Sequence, residues 1–282
     1  MKTAVIGGSG QLGTDLCKVL GGDALALGHA EIEITDGSSV AQVLRDIEAD
    51  VVINTAAYNK VDLAEDEPDV AFRSNAFGAR NVAVMCDELK VPLCHISTDF
   101  VFGAEPNRTT PYTELDVPGP LSAYAISKLA GEHFVRAHTD QHYVIRTCGL
   151  YGHAGRTGNG NFVETMIRLG SERDSLSVVN DQFCTPTSTR DLAAAIVELI
   201  QTNSFGTYHI TNEGQTSWFE FAETIFELAE IDVELNAISS AQFGAKAARP
   251  PYSVLDNAKL ANTIGRRLPD WRDAVAAYIA SR

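Results

Sequence analysis

A glycine-rich loop close to the first residue constrains the fold of this chain more than any other feature. The loop, Gly7-Gly8-Ser9-Gly10-Gln11-Leu12-Gly13, follows an apolar run at 3–6 and precedes an amphipathic segment. Its glycines satisfy both the GxxGxxG spacing (7, 10, 13) and the GxGxxG spacing (8, 10, 13). Such a loop lets the backbone approach a pyrophosphate, and the next helix offers N–H groups and a partial positive charge. The sequence therefore predicts a dinucleotide site, with an ordinary glycine-rich turn as the alternative.

Short apolar runs alternate with longer amphipathic segments through the first half of the chain. This alternation predicts right-handed βαβ units and a parallel sheet covered by helices on both faces. The expected class is therefore α/β, with a Rossmann-type doubly wound parallel sheet. Asp36 or Ser38 is placed to cap the second helix, and Pro68 to open the third. Strands are expected at 3–6, 24–27, 51–54, 93–96 and 143–146, and helices near 11–21, 38–48, 69–89 and 124–138.

The pattern changes after Gly149, where a polar, glycine-rich segment occupies 152–161. Further helices are expected near 161–171, 189–202, 217–230 and 270–280, and Ser217 with Glu220 forms a capping-box pattern. We predict a Rossmann domain over 1–150 that also includes about 176–212. The segments 151–175 and 213–282 are expected to form a smaller, interleaved substrate lobe.

The balance of charges restricts the partners of the chain. Lys and Arg number 22 against 37 for Asp and Glu, so the formal net charge is -15. Nucleic acid and anionic membranes are disfavoured as partners, because phosphate binding requires clustered cations. No apolar run is long enough for a transmembrane helix, and we find no signal peptide and no metal-ligand cluster. The five widely spaced cysteines include no CxxC pair, which predicts a cytoplasmic protein.

The end of the second predicted strand lacks the acidic residue that commonly holds the ribose 2′-hydroxyl of NAD. Leu27 is followed by Gly28-His29-Ala30, in which nothing repels a 2′-phosphate and His29 can accept one. NADP(H) is therefore at least as well supported as NAD(H).

A tyrosine and a lysine are spaced for proton transfer in Tyr124-Ala125-Ile126-Ser127-Lys128. An i, i+4 pair shares one helix face, and a nearby ammonium lowers the pKa of a phenol. Tyr124 is thus expected to have a lowered pKa and to give a proton to a carbonyl oxygen. Thr98 follows the fourth strand at the ligand-binding edge of the sheet, where its hydroxyl can reach the same carbonyl. A surface helix with an incidental pair is the alternative.

At this point the chain resembles an extended short-chain dehydrogenase/reductase and, within that group, the dTDP-4-dehydrorhamnose reductases. The resemblance runs through most of the chain. It rests on an ordered set of motifs: GGSGQLG at 7–13, NTAAY at 54–58, STDFVF at 97–102, YAISKLAGE at 124–132, GNF at 160–162, DQF at 181–183, PT at 186–187 and RP at 249–250.

The resemblance implies reduction of dTDP-4-dehydro-L-rhamnose to dTDP-L-rhamnose by NADP(H) or NAD(H), for cell-surface polysaccharide. It makes Tyr124 the general acid, Lys128 the residue that tunes it and binds the nicotinamide ribose, and Thr98 the support of the phenol. Many members are homodimers, so a second copy is a candidate partner. The implied cofactor residues are Gly7, Ser9, Gly10, Gln11, Leu12, Gly13, Glu33, Ile34, Ala56, Ala57, Tyr58, Tyr124 and Lys128. The implied substrate residues are Thr98, Asp99, Tyr124, Asn161, Phe162 and Arg249.

One departure from the family lies in the expected sugar pocket. Many members have a Trp there after the strand that corresponds to 143–146, whereas this chain has Gly149. Loss of the indole predicts a roomier pocket or a ring from elsewhere, with Phe162 as the candidate.

The acidic chain also needs local cations for a pyrophosphate. The candidates are Arg156, Arg168 and Arg249, each of which is alternatively a solvated surface residue.

The same residues also help to distinguish this function from those of related enzymes. A dehydratase needs a second carboxylate after Asp99, but Phe100 stands there and cannot act as a base. The function of another nucleotide-sugar ketoreductase or of an epimerase stays open as an alternative. A regulatory subunit that binds NADP without turnover is the alternative from a different class of protein. The presence of Tyr124, Lys128 and Thr98 argues against this alternative.

Overall fold

The computed structural model describes residues 1–156, without the side chain of Arg156, and 160–282. Residues 157–159 of the predicted polar loop lie outside the described residues. The strands are β1 Thr3–Ile6, β2 Ala24–Leu27, β3 Val51–Asn54, β4 Leu93–Thr98, β5 His142–Thr147, β6 Leu150–Tyr151, β7 Ser175–Val179, β8 Phe183–Cys184, β9 Thr187–Ser188, β10 Gly206–His209, β11 Thr216–Ser217 and β12 Glu234–Ile238. The helices are α1 Gln11–Leu20, α2 Gly37–Ile47, α3 Pro68–Phe72, α4 Ala79–Leu89, α5 Ala123–His138, α6 Phe162–Glu172, α7 Thr189–Ile200, α8 Trp218–Leu228, α9 Ser240–Phe243, α10 Ala258–Ile264 and α11 Trp271–Ala280.

A six-stranded parallel sheet has the order β10-β5-β4-β3-β1-β2. The strand order reverses between β1 and β3, and ligands of such sheets bind at the carboxyl edge beside this switch point. The glycine loop leaves β1 there, and Thr98 ends β4 two strands away. The predicted α/β, doubly wound class is confirmed.

Helices cover both faces of this sheet, which explains why the strands are apolar on both sides. Residues of α1 and α7 pack on one face around Val5, Ile53 and Ile145. Residues of α2 and α4 pack on the other face around Ala4, Val52 and Val144. The two cores hold the strand ends, and hence the site at the carboxyl edge, in fixed positions.

The substrate side of the chain has a separate core and small two-stranded sheets. Its apolar cluster includes Tyr151, Val163, Phe221 and Trp271. The two-part division of the chain, with its boundaries, stays a prediction. Strand β7 pairs with β12 and not with the main sheet, and its alternating exposure leaves one face to solvent.

The predicted helix over 69–89 is divided by a π-helical stretch, Arg73–Gly78. This stretch contacts α5 closely, since a Cβ atom added at Gly131 would lie 2.2 Å from the Asn75 carbonyl oxygen. The predicted helix starts elsewhere are confirmed: Asp36 accepts from the Ser38 N–H at 2.9 Å, and Ser217 forms a capping box with Glu220. Across the described ranges, no helix is both long and apolar enough to cross a membrane.

Candidate active site

The glycine loop forms a close-packed cradle at the end of β1. Gly7 has a φ of 79°, and its N–H donates to the Leu27 carbonyl oxygen at 2.8 Å. A Cβ atom added at Gly13 would lie 2.2 Å from the Gly7 carbonyl oxygen, so a side chain there would displace the loop. Gly10 caps α1 without a side-chain hydrogen bond, which leaves the first-turn N–H groups to a ligand. The cradle therefore fits a dinucleotide pyrophosphate.

The other predicted loop residues lie in three different environments. Ser9 is exposed at the tip of the loop. The Gln11 side-chain oxygen instead accepts from the Gly152 N–H at 3.1 Å and from the Asn161 amide at 3.0 Å. Leu12 is buried in the core, so it can reach a cofactor only through its backbone.

An acidic side chain does lie at the end of β2, contrary to the sequence prediction. The Glu31 carboxylate accepts from the Gly28 N–H at 2.8 Å. A Cβ atom added at Gly28 would lie 3.1 Å from this carboxylate and 3.7 Å from the Ser9 hydroxyl. The sequence pattern missed Glu31 because the chain turns back after Gly28, with the Glu31 and Ile32 N–H groups bonded to the Gly28 oxygen.

Of the two residues predicted to hold the adenine, only one has a side chain that a ligand can reach. The Glu33 carboxylate accepts from the Thr35 N–H and hydroxyl, each at 2.9 Å, and these bonds lower the pKa of Glu33. Ile34 is buried in the core, and Gly78 packs directly against it. Glu33 is exposed and can face a ligand, whereas the Ile34 side chain is part of the core.

The segment after β3 is positioned by a residue that the sequence did not single out. The Asn75 side-chain oxygen accepts from the Tyr58 N–H at 2.8 Å, and its amide donates to the Tyr58 carbonyl at 2.9 Å. The same amide donates to the Ser127 hydroxyl on α5 at 3.0 Å. Asn75 thus fixes Ala56, Ala57 and Tyr58 relative to the helix that carries Tyr124. Asn75 directly follows Arg73 and Ser74, so the polarity pattern of the predicted helix does not single it out.

Thr98 and Asp99 occupy the carboxyl end of β4. The Thr98 hydroxyl donates to Asp99 Oδ1 at 3.1 Å, and Ser253 donates to Asp99 Oδ2 at 2.5 Å. Burial raises the pKa of Asp99 to about 6, against hydrogen bonds from Ser253, Cys148 and Thr98. Asp99 was expected to face the sugar, but it is 2% exposed and its oxygens are engaged. We assign it to positioning Thr98 instead.

Tyr124 lies beside Thr98, as the sequence predicted. The Thr98 hydroxyl lies close enough to the phenol to act against the rise in its pKa, and the Tyr124 ring meets Phe100 edge-on at 6.1 Å between centroids. The predicted lowering of the phenol pKa is wrong for this structure. Burial raises the pKa of Tyr124 to about 12, because the Lys128 ammonium contacts a different group.

The Lys128 ammonium donates to the Ile96 carbonyl oxygen at 2.6 Å. Burial lowers the pKa of Lys128 to about 8, against the charge of Glu132. Burial alone would raise the pKa of Glu132, but hydrogen bonds from Arg146 and Ser97, with the charges of Arg146 and Arg136, lower it to about 2. Arg146 binds Glu132 through two nitrogens, at 2.9 and 2.8 Å. The lysine thus lies beside Glu132, which is buried and pairs with both Arg146 and Arg136.

The predicted substrate residues outside this group have structural partners. Asn161 caps α6 by accepting from the Glu164 N–H at 3.0 Å, while its amide contacts Gln11, so both ends of the side chain are engaged. Phe162 packs against Trp218 at 4.7 Å between centroids.

The candidate cations also have acidic partners. Arg249 forms a two-point ion pair with Asp62, at 2.7 and 3.1 Å, and Arg168 pairs with Glu172 at 3.0 Å on the surface. The Arg156 side chain lies outside the described residues. No group of three or more His, Cys, Asp or Glu side chains that could hold a metal occurs in the part of the chain that the structure describes.

This combination of a Rossmann-type cradle and a Tyr-x-x-x-Lys helix beside a threonine hydroxyl defines an extended short-chain dehydrogenase/reductase. A family model described as "RmlD substrate binding domain" matches residues 1–282. The chain belongs to this family.

The relatives agree over their whole lengths. The chain is 37% identical to the spore coat polysaccharide biosynthesis protein SpsK of Bacillus subtilis, over 100% of this chain and 98% of that protein. It is 36% identical to the dTDP-4-dehydrorhamnose reductase of Sinorhizobium fredii, over 99% and 97%. A crystal structure of the dTDP-4-dehydrorhamnose reductase of Bacillus anthracis in complex with NADP superposes with a TM-score of 0.94, at 40% identity and full coverage of both chains.

Proposed function

We propose that this chain reduces dTDP-4-dehydro-L-rhamnose to dTDP-L-rhamnose with NADH or NADPH, in nucleotide-sugar synthesis for cell-surface polysaccharide. The observation that carries the proposal is the placement of the Tyr124 phenol beside the Thr98 hydroxyl at the carboxyl edge of the sheet. The full-length similarity to dTDP-4-dehydrorhamnose reductases supports the sugar and the nucleotide.

Tyr124 supplies the proton in this reaction. Its raised pKa keeps the phenol protonated at neutral pH, which is the form that reduction of a ketone requires. When bound, the reduced nicotinamide supplies the hydride for the carbonyl carbon. The carbonyl oxygen then takes the Tyr124 proton, and the Thr98 hydroxyl stabilises the phenolate by a hydrogen bond.

Lys128 and Asp99 support this transfer from two sides. The Lys128 ammonium, which donates to the Ile96 carbonyl oxygen, has further N–H groups for the hydroxyls of the nicotinamide ribose. Asp99 fixes the rotamer of Thr98 through the 3.1 Å hydrogen bond. The residues that would hold the cofactor are Gly7, Ser9, Gly10, Gln11, Leu12, Gly13, Glu33, Ala56, Ala57, Tyr58 and Lys128.

Glu31 supports the use of NADH beside NADPH. A carboxylate at the end of β2 accepts from a ribose 2′-hydroxyl and repels a 2′-phosphate. We expect Glu31→Gln to shift the ratio of kcat/KM values toward NADPH. Glu48→Gln removes an exposed carboxylate at the C-terminal end of α2, outside the predicted cofactor residues, and is the matched control. An equal shift in both variants would assign the effect to net charge.

A panel of nucleotide ketosugars tests the function directly. We expect steady oxidation of NADPH or NADH with dTDP-4-dehydro-L-rhamnose and formation of dTDP-L-rhamnose. An epimerase would instead interconvert sugars without net cofactor consumption. A regulatory subunit would bind NADPH and never oxidise it, and either outcome would contradict the proposal. The cytoplasmic location and the homodimer expected from the sequence stay predictions.

A further inference from the structure

Gln11 has a side chain that turns away from the glycine loop to which its backbone belongs. Its side-chain oxygen accepts from the Gly152 N–H at 3.1 Å and from the Asn161 amide at 3.0 Å. These two partners lie 141 and 150 positions away in the sequence, at the end of β6 and at the start of α6. The backbone and the side chain of Gln11 therefore belong to two different parts of the protein.

The direction of each hydrogen bond around Gln11 is fixed by its partners. A backbone N–H can only donate, so the Gln11 atom that faces Gly152 must be the amide oxygen. Asn161 then presents its amide nitrogen to Gln11, and the same nitrogen donates to the Gly152 carbonyl oxygen at 3.2 Å. The Asn161 oxygen accepts from the Glu164 N–H at 3.0 Å and caps α6. Rotation of either amide by half a turn would place two donors or two acceptors against each other, so this arrangement is specific.

The segment after β6 packs directly on these two amides. A Cβ atom added at Gly155 would lie 2.4 Å from the Gln11 oxygen and 2.7 Å from the Asn161 nitrogen, so a glycine is needed for this close approach. Gly155 is buried, and its N–H donates to the Gly152 carbonyl oxygen at 3.0 Å. The position of the segment and the position of the Gln11 side chain are therefore linked.

The same segment starts at the carboxyl edge of the main sheet. Thr147 ends β5 in register with Thr98 at the end of β4, and the chain passes from Thr147 through 148–151 to Gly152. One end of this short stretch thus lies beside the Thr98 strand end, and the other end is hydrogen-bonded to Gln11.

We propose that Gln11 couples the binding of the dinucleotide to the binding of the nucleotide sugar. This inference rests on the proposed function and adds to it an energetic link between the two ligand sites. A residue that contacts one ligand through its backbone and supports the other site through its side chain is suited to this role.

The physical basis of the coupling is the ordering of one segment by two contacts. α1 begins at Gln11, and its Gly10 cap makes no side-chain hydrogen bond, so the N–H groups of the first turn are available to a pyrophosphate. When the Gln11 backbone is held in this way, its side-chain hydrogen bonds hold the segment at 148–152. A sugar that binds beside the ordered segment loses less conformational freedom and therefore binds more tightly.

A binding cycle with NADPH and dTDP-L-rhamnose measures this coupling without turnover, because the sugar is already reduced. We expect NADPH to lower the Kd of dTDP-L-rhamnose about fivefold or more, and dTDP-L-rhamnose to lower the Kd of NADPH by the same factor. Gln11→Met keeps the backbone N–H but neither side-chain hydrogen bond, so the factor should fall to about one. A purely structural loss would weaken each ligand equally in the presence and absence of the other, and the factor would not change.

Two further variants make the comparison specific. Gly155→Ala places a methyl group against the Gln11 oxygen without a change to Gln11 itself, and it should also reduce the factor. Gln42→Met makes the same chemical change on the exposed surface of α2 and should keep the wild-type factor. A wild-type factor in either Gln11→Met or Gly155→Ala would overturn the proposal, as would a factor of about one in the wild type.

Hydrogen exchange separates this inference from the proposed function, because it requires only NADPH. The Gly152 amide hydrogen is bonded to Gln11, so NADPH should slow its exchange about fivefold or more in the wild type and not in Gln11→Met. Exchange unaffected by NADPH in the wild type would overturn the role of Gln11 even if the protein reduces the sugar. Slowed exchange without binding of dTDP-L-rhamnose would overturn the proposed function and the coupling to the sugar, while the link between Gln11 and the segment would stand.

Discussion

Ser253 donates a 2.5 Å hydrogen bond to Asp99 and thereby joins the C-terminal region to the end of β4. Both residues are buried, at 3% and 2% exposure. Because Asp99 also accepts from Thr98, this contact connects the C-terminal region to the hydroxyl that contacts Tyr124. The position of the Thr98 hydroxyl therefore depends on Ser253, which is 154 positions from Asp99 in the sequence.

The raised pKa of Asp99 predicts a stability change with pH. In the folded chain its pKa is about 6, whereas an unfolded Asp has a pKa of about 3.9. Stability contributed by protonated Asp99 is complete below about pH 4 and is lost as pH rises through about 6. As pH rises from about 5 to 7.5, the unfolding free energy of Asp99→Asn should increase by about 1 kcal/mol relative to that of the wild type. Urea unfolding measures this difference. Asp140→Asn, an exposed change of equal charge, should show no such gain; a parallel gain would contradict the assignment.

The lowered pKa of Lys128 predicts how cofactor affinity depends on pH. Protonated Lys128 donates to the ribose, and burial lowers its pKa to about 8. The Kd for NADPH should therefore rise about tenfold between about pH 7 and 9 as the ammonium is lost. Lys128→Met should bind NADPH weakly at both pH values, without this dependence. An unchanged Kd in the wild type across this interval would rule out the role of Lys128 in cofactor binding.

Substitution of Asn75 should lower stability and NADPH binding more than substitution of Ser127, although the two side chains are hydrogen-bonded to each other. Asn75→Ala leaves the N–H and the carbonyl of Tyr58 without their partners, which should cost about 2–3 kcal/mol of unfolding free energy and weaken NADPH binding. Ser127→Ala removes the bond from Asn75 and the one that Ser127 donates to the Tyr124 carbonyl oxygen at 2.7 Å, but Asn75 keeps its bonds to Tyr58, so about 1 kcal/mol is expected. Chemical denaturation and NADPH titration measure the two effects. Equal losses in both variants would show that the contact with α5, and not the Tyr58 segment, is what Asn75 maintains.

The sequence predicts those residues of the site that belong to one strand end or to one helical turn. Thr98 closes a buried strand, and Tyr124 and Lys128 lie one helical turn apart, so their proximity is a local consequence of periodicity. The pKa of Tyr124 could not be predicted in this way. It depends on whether the Lys128 ammonium contacts the phenol or the Ile96 carbonyl, and spacing does not distinguish these contacts.

Long-range contacts account for what the sequence did not predict. Asn75 and Ser253 reach the site from distant segments, and no local pattern indicates their partners. Arg249 was predicted as a substrate-binding cation in the substrate lobe, and that role stays a prediction. Its ion pair with Asp62 could not be predicted, because many acidic residues were equally available.

Asp62 and Arg249 provide a test of whether the arginine binds substrate. We propose that Arg249 contributes to pyrophosphate binding, in which case Arg249→Ala should raise KM for the nucleotide sugar more than KM for NADPH. Asp62→Ala frees the guanidinium and should leave that KM unchanged or lower it. If both variants raise KM equally, the ion pair only holds the 247–249 segment, and the binding role is wrong.

The most direct measurement of the catalytic account is the rate of the Tyr124→Phe variant. Loss of the phenolic proton should lower kcat for dTDP-4-dehydro-L-rhamnose reduction by about 10²–10⁴-fold, while the Kd for NADPH stays within about twofold. Tyr112→Phe removes a hydroxyl that is buried and makes no hydrogen bond in the described part of the chain, so it should retain wild-type kcat. A Tyr124→Phe enzyme with nearly wild-type turnover would contradict the assignment of Tyr124 as the proton donor.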